Sequence, residues 1–169
     1  MLFSDSYYTI ALASEAQFRD KGSKFLSFAF PVKTEGEIKE KLSTLKKEHP
    51  SANHHCYAWR LGSDKSAFRT NDDGEPTGTA GKPIFSQIQS NDLSNILIVV
   101  VRYFGGTLLG VSGLIHAYKT CAILALSNTS IVEQFIIEEY RINFTVDEIS
   151  AVMSLLKEKE AKILENTYT

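Results

Sequence analysis

The most apolar run in the chain is Ile96-Leu97-Ile98-Val99-Val100-Val101, and both of its alternating faces are apolar. A strand whose two faces both need cover reads as the buried centre of a sheet. Weaker patterns predict the elements around it. Residues 7–19 alternate loosely and read as a strand. Lys24, Leu26, Phe28, Phe30 and Val32 share one parity, so 23–32 reads as a strand with one strongly apolar face, entered through a turn at Gly22. Thr34 and Glu37 form a capping box for a helix ending near His49-Pro50, with Ile38, Leu42 and Leu45 on a narrow apolar stripe. Residues 54–61 predict a strand with His55, Tyr57, Trp59 and Leu61 on one face and His54, Cys56, Ala58 and Arg60 on the other. A short strand at 67–70 and a short helix at 84–89 come next. A helix at 111–127, burying Val111, Leu114, Ile115, Tyr118, Cys121, Ala122 and Ala125, completes this part.

From Ile136 the pattern restarts. A strand over 136–146, a helix capped by Asp147 with Ile149, Val152, Met153 and Leu156 inside, and a strand over 161–168 make a βαβ fragment. Some 35 residues bury too little surface to stand alone. The expected division is therefore 1–134 and 135–169, the second part incomplete.

Composition narrows the class. At 43 % hydrophobic and 22 % charged the chain is ordinary globular protein. Its longest apolar run is far short of the ~20 residues of a membrane helix, and Met1 to Asp5 lack a signal-peptide pattern. The expectation is cytoplasmic, with no membrane partner. Cys56 and Cys121 follow no CxxC spacing and sit in apolar patterns, which reads as two reduced buried thiols. A net charge of −2 argues against a general nucleic-acid clamp and leaves room for a local basic patch. Residues 1–134 carry the positive balance and 135–169 the negative, so any polyanion contact belongs to the first part.

Candidate chemistry gathers where the punctuation is densest. Seven of ten glycines fall between Asn71 and Tyr118, in two loops flanking the central strand. In the second loop Gly105, Gly106, Gly110 and Gly113 lie between a strand and a helix, where backbone N–H groups and a helix N-terminus cradle anions. No Gly-Lys-Ser/Thr ends that loop, and the same glycines also serve close packing and positive φ. In the first loop Asp73, Gly74 and Glu75 precede Gly78, Thr79, Gly81 and Lys82, with Thr79 placed to cap the next helix. Its carboxylates with Asp72 either cap turns and pair with Lys82 or Arg102, or hold a Mg²⁺. Arg102 leaves the end of an otherwise apolar strand, as a phosphate fork or as the partner of Asp73 or Glu75. Tyr103 and Phe104 are candidate stacking aromatics. His54 and His55, neighbours on a strand, point to opposite faces and share no metal. Trp59 and Tyr57 read as core. No nucleophile–base pair declares itself, so no catalytic residue and no cofactor is expected.

Two of these blocks resemble a known family. Asn71 to Ile84 and Val100 to Leu114, preceded by His54-His55-Cys56-Tyr57-Ala58-Trp59, resemble the IMPACT/YigZ family from about Lys24 to about Leu126. The family's usual Arg before Ala-Tyr is His116 here. The resemblance implies an α+β architecture: a two-layer βαβ-type domain similar to domain IV of elongation factor G, then part of a ferredoxin-like α/β domain. Eukaryotic relatives restrain a starvation-responsive kinase by competing for its ribosome-associated activator, and carry a leading domain not seen in this layout. The implied role is a non-enzymatic regulator binding RNA, the ribosome or a translation-control protein. The expected binding surface comprises both Gly-rich loops, Lys82, Arg102, Tyr103, Phe104 and His54. The alternatives are a Mg²⁺-dependent enzyme like the small-molecule kinases, with Gly106–Gly113 holding phosphates, or a pure protein-interaction module.

Overall fold

The structure, a computed structural model, describes residues 5–167. It divides into two compact units, one reaching Ile136 and one beginning at Ile137.

The first unit is built on a five-stranded antiparallel sheet. In chain order it contributes β2 (Ser14–Asp20), β3 (Ser23–Pro31), β4 (His54–Leu61), β5 (Ala67–Asn71) and β6 (Ile96–Tyr103). The spatial order is β2-β3-β6-β4-β5. β6 is the centre, as its two apolar faces demand, and all of Ile96–Val101 is buried. β3 and β4 both run antiparallel to β6 and so parallel to each other. With α1 (Glu35–Glu48) between them they form a split βαβ unit. The weak 7–19 pattern resolves into two strands. β1 (Ser6–Ile10) leaves the main sheet and pairs antiparallel with β7 (Ile131–Phe135).

Both faces of the sheet are covered. Ile96, Ile98 and Val100 meet α2 (Gly81–Ser90) and α3 (Gly110–Ser127), through Ile84, Ile88, Leu114, Tyr118 and Cys121. Leu97, Val99 and Val101 meet α1, through Ile38 and Leu45, with Trp59 and Leu61 beside them. The α+β class holds, and α1 adds a third layer to the two expected. The Thr34/Glu37 capping box opens α1.

β3 is buried most deeply on its less apolar face. The buried parity is Ser23, Phe25, Ser27 and Ala29, while Leu26, Phe28 and Phe30 are half-buried. The cause is the closeness of α3. The Ser27 hydroxyl donates to the Cys121 carbonyl at 2.7 Å, and only small side chains fit there. α3 departs from its expected stripe: Val111 is 60 % and Ile115 39 % exposed, because Ala117, Cys121 and Ala125 supply the packed stripe.

In the second unit the expected strands over 136–146 and 161–168 do not form among the described residues; Tyr168 lies outside them. A strand needs a partner for its backbone groups, and the edge of β1 is taken by 131–135 instead. A short 3-10 turn (Val146–Glu148) runs into α4 (Ile149–Glu158). Its start is closed not by Asp147 but by Glu148, whose carboxylate accepts from the Thr145 N–H and hydroxyl at 2.8 and 2.9 Å. No helix among the described residues is long and apolar enough to cross a membrane.

Candidate functional site

The two Gly-rich loops meet at one end of the sheet, where β3 and β4 begin and β5 and β6 end. A third element joins them: the β2–β3 turn, expected at Gly22 but not as part of this site. Lys21 (φ 44°) and Gly22 (φ 82°) both take left-handed backbone, as a two-residue hairpin turn requires. Gly105 lies directly against this turn. A Cβ on Gly105 would fall 1.9 Å from the Gly22 carbonyl carbon and 2.2 Å from Ser23 N. Backbone touches backbone here, and Ser23 Oγ also accepts from Gly105 N–H at 3.2 Å. Gly105→Ala should therefore destabilise more than Gly106→Ala. Gly106 has φ +85° but open space, so alanine there costs about 1–2 kcal/mol of strain. Gly105→Ala has to move two backbone segments and should cost several-fold more in thermal or urea unfolding. Equal losses would remove the close-approach account.

The first loop is fastened to β4 and α2 by its own carboxylates. Asp72 accepts from the N–H groups of Gly78 (2.8 Å), Ala80 (3.1 Å) and Gly81 (2.8 Å). Burial alone would raise the Asp72 carboxyl, but these N–H groups and nearby Lys82 hold it below the usual range. Asp72 thus does the work expected of Thr79, whose hydroxyl turns back to the Pro76 carbonyl at 2.6 Å. The start of α2 already holds its own anion. Asp73 accepts from His55 N–H at 2.6 Å, and its carbonyl lies 2.8 Å from His54 Nδ1. Gly74 follows with φ 89°. Gly81 packs within 2.8 Å (from its Cβ position) of Asn71 N. His55, on the opposite face from His54, is lowered chiefly by burial, with Asp73 opposing.

Beneath the loops lies a buried ion pair. Arg102 Nη1 donates to Glu75 Oε1 at 2.6 Å, and Nη2 to Ser23 Oγ at 3.3 Å. Arg102 is 5 % and Glu75 9 % exposed. The guanidinium stands 5.4 Å from the Phe25 ring and 5.5 Å from the Phe104 ring. Glu75 accepts a further bond from the Tyr118 hydroxyl at 2.7 Å, and His54 Nε2 is 3.8 Å away. The Cys56 thiol donates to the Asp72 carbonyl at 3.0 Å and meets Tyr118 Oη at 3.3 Å. Burial chiefly pushes both Cys56 and Tyr118 up, with Glu75 adding to it, so both keep their protons. Arg102 does not emerge at the loop edge as expected. Of its two candidate roles, pairing with Glu75 is the one the structure contains.

What remains open at this end is a different set. Lys82 and Lys21 are exposed and Lys24 half-buried, its ammonium 5.9 Å from the Tyr103 ring. Phe104 is 45 % exposed. Tyr103 is not a free stacking ring: its hydroxyl is bound to His49 Nδ1 at 2.8 Å. Gly106, Gly110 and the first residues of α3 face solvent, and no side chain caps that helix start. Gly113 sits one turn in, its Cβ position 3.0 Å from that of Leu109. Lys21, Lys24 and Ser23 were missed in the sequence reading because only β2–β3 pairing brings them here.

The Impact N-terminal domain model matches residues 21–126, a span that contains all three converging loops. The IMPACT family member YvyE of Bacillus subtilis is 38 % identical over 129 residues, covering 76 % of this chain and 59 % of YvyE. The IMPACT family member YigZ of Escherichia coli is 34 % identical over 150 residues, covering 88 % of this chain and 74 % of YigZ. The crystal structure of an hypothetical protein matches with a TM-score of 0.80 at 31 % identity, covering 99 % of this chain and 82 % of that one. The chain thus spans less than two thirds of YvyE and about three quarters of YigZ.

Proposed function

The chain belongs to the IMPACT family, and from that premise we propose that it is a non-enzymatic, translation-associated regulator that binds RNA, on or off the ribosome, at the loop end of its sheet. One observation carries the reading. Three loops converge there, leaving Lys21, Lys24, Lys82, Phe104 and the uncapped start of α3 outward. Cations, an exposed ring and free backbone N–H groups are what a phosphate–base chain needs. The carboxylates and the arginine that a kinase-like reading would recruit are already engaged: Glu75 with Arg102, Asp72 with N–H groups at the start of α2, Asp73 with the His55 N–H on β4.

Three lysines predict modest, salt-sensitive affinity. The logarithm of the association constant should fall with log salt at a slope of about −2, from about −0.7 per phosphate neutralised on a single strand. Lys21→Ala or Lys82→Ala should reduce that slope by under about one unit at unchanged stability. Phe104→Ala should weaken binding without changing the slope. Fluorescence anisotropy on labelled single-stranded RNA reads all three. Absence of saturable binding at low salt would transfer the surface to a protein partner.

A further inference from the structure

β3 leaves a second surface that the loop reading does not use. Its more apolar parity, Leu26, Phe28 and Phe30, packs against the α1-side cluster yet stays half-buried, at the side of that cluster towards β2. Paired rows define what stands beside it. On β2, Glu15 lies opposite Phe28, Gln17 opposite Leu26 and Arg19 opposite Lys24, and all three are exposed. On the other side Lys24 lies opposite Tyr103. The Phe28 and Phe30 rings are parallel within 5° at 6.4 Å between centroids. From α1, Lys41 places its ammonium 5.4 Å from the Phe30 ring, and the His49 ring lies 5.6 Å from that of Phe28. The result is a shelf with an aromatic floor, α1 as one wall and the polar edge strand as the other.

We propose that this shelf binds single-stranded RNA, its bases against the Phe28 and Phe30 rings and its phosphates against Arg19, Lys24 and Lys41. Two aromatics two residues apart on a strand offer successive stacking positions on one face. On the strands Arg19 and Lys24 stand against Glu15, and α1, whose four lysines are matched by four glutamates, brings Lys41 to the ring itself; the cations nearest the rings are placed for phosphates. The row Arg19–Lys24–Tyr103 abuts the β2–β3 turn, so the shelf continues the loop surface. From Lys24 to Phe30 it runs about 20 Å along the strand. The inference deepens the RNA reading of the loop end and rests on it for the class of ligand.

The test uses the full chain and a single-stranded RNA dodecamer carrying 4-thiouridine. Photocrosslinks should map to residues 25–31 as well as to the loops. Phe28→Leu and Phe30→Leu keep apolar volume and remove the ring. Each should weaken binding by about fivefold or more, the lower end of what one base–aromatic stack is worth, with unfolding midpoints near wild type. Glu15→Gln should tighten binding, which a purely structural role for this face would not produce. Crosslinks confined to 71–82 and 104–110, with the Phe variants binding normally, overturn the shelf and leave the loop reading intact. Crosslinks confined to β3, with Lys21→Ala and Lys82→Ala binding normally, support the shelf and remove the loop surface. Neither crosslinks nor saturable binding would end both readings.

Discussion

Arg102→Ala should cost the first unit about 3–5 kcal/mol, the loss expected when one member of a buried ion pair is removed. The reason is what remains. Glu75 would keep its place under the loops with the Tyr118 hydroxyl as its closest donor, 2.7 Å away, and His54 Nε2 at 3.8 Å. Ser23 would lose one of its partners, and the Phe25 and Phe104 rings would lose the guanidinium between them. Against a typical stability of 5–15 kcal/mol, that is about a fifth or more of the total. Removing both charges is a smaller perturbation than the two single losses added. Arg102→Ala with Glu75→Ala should fall short of that sum by roughly 0.5–3 kcal/mol, the usual range for residues in contact. Urea unfolding of the four proteins measures the cycle. The pair also separates stability from binding. Where the Arg102→Ala protein is still folded, its RNA affinity should match wild type, because the guanidinium is already committed inside. A variant of normal stability with a reduced salt slope would return Arg102 to the surface as a phosphate ligand.

The elements legible in the sequence are those whose cause is local. The Thr34/Glu37 box fixes the start of α1 within four residues. β4 runs from His54 to Leu61 as its alternation indicates, and β6 announces its central place by having no polar face. What was misread depends on distance. β3 has its strongly apolar face against the α1-side cluster, but its deeper burial is on the other face, where Ser27 and Ala29 meet α3. A period of two says that the faces differ; it does not say which is covered when helices lie on both sides. β1 and β7 pair across more than 120 residues of chain, and no local pattern records that. Val111 and Ile115 follow helical spacing yet face outward, because α3 packs through its small residues.

The same division runs through the site. Glycine spacing located both loops, and the partner choice for Arg102 was narrowed to Asp73 or Glu75 from charge alone. The capping of α2 was assigned to Thr79, one residue from the helix, whereas Asp72 reaches it across a folded loop. Lys21 carries no signal by itself. It becomes part of the surface only because Gly22 and Gly105 touch, and that contact follows from β3 lying beside β6.

Val99→Asp should remove most or all of the stability of the first unit at neutral pH. Val99 is fully buried at the centre of the sheet, flanked on the neighbouring strands by Phe28 and Tyr57. It faces the α1 side within an apolar cluster of Val32, Ile38, Leu45, Trp59, Leu97 and Val101, the polar groups along its edge being those of Tyr57 and His55 on β4. A carboxylate there meets no partner, and an unpaired buried charge costs several kcal/mol, comparable with the whole stability of a domain. Protonation offers a cheaper form, so the pH dependence has a definite sign. The buried Asp has its folded pKa raised above the unfolded value of about 3.9, so the unfolded chain releases the proton first. The penalty relative to wild type should grow as pH rises from about 4 towards 7. Val99→Asn, polar but never charged, should show a smaller loss that does not change over the same range. Unfolding midpoints of the three proteins at pH 4 and pH 7 test the pair of statements. A Val99→Asp protein melting cooperatively within about 1 kcal/mol of wild type at pH 7 would mean that α1 does not seal this face.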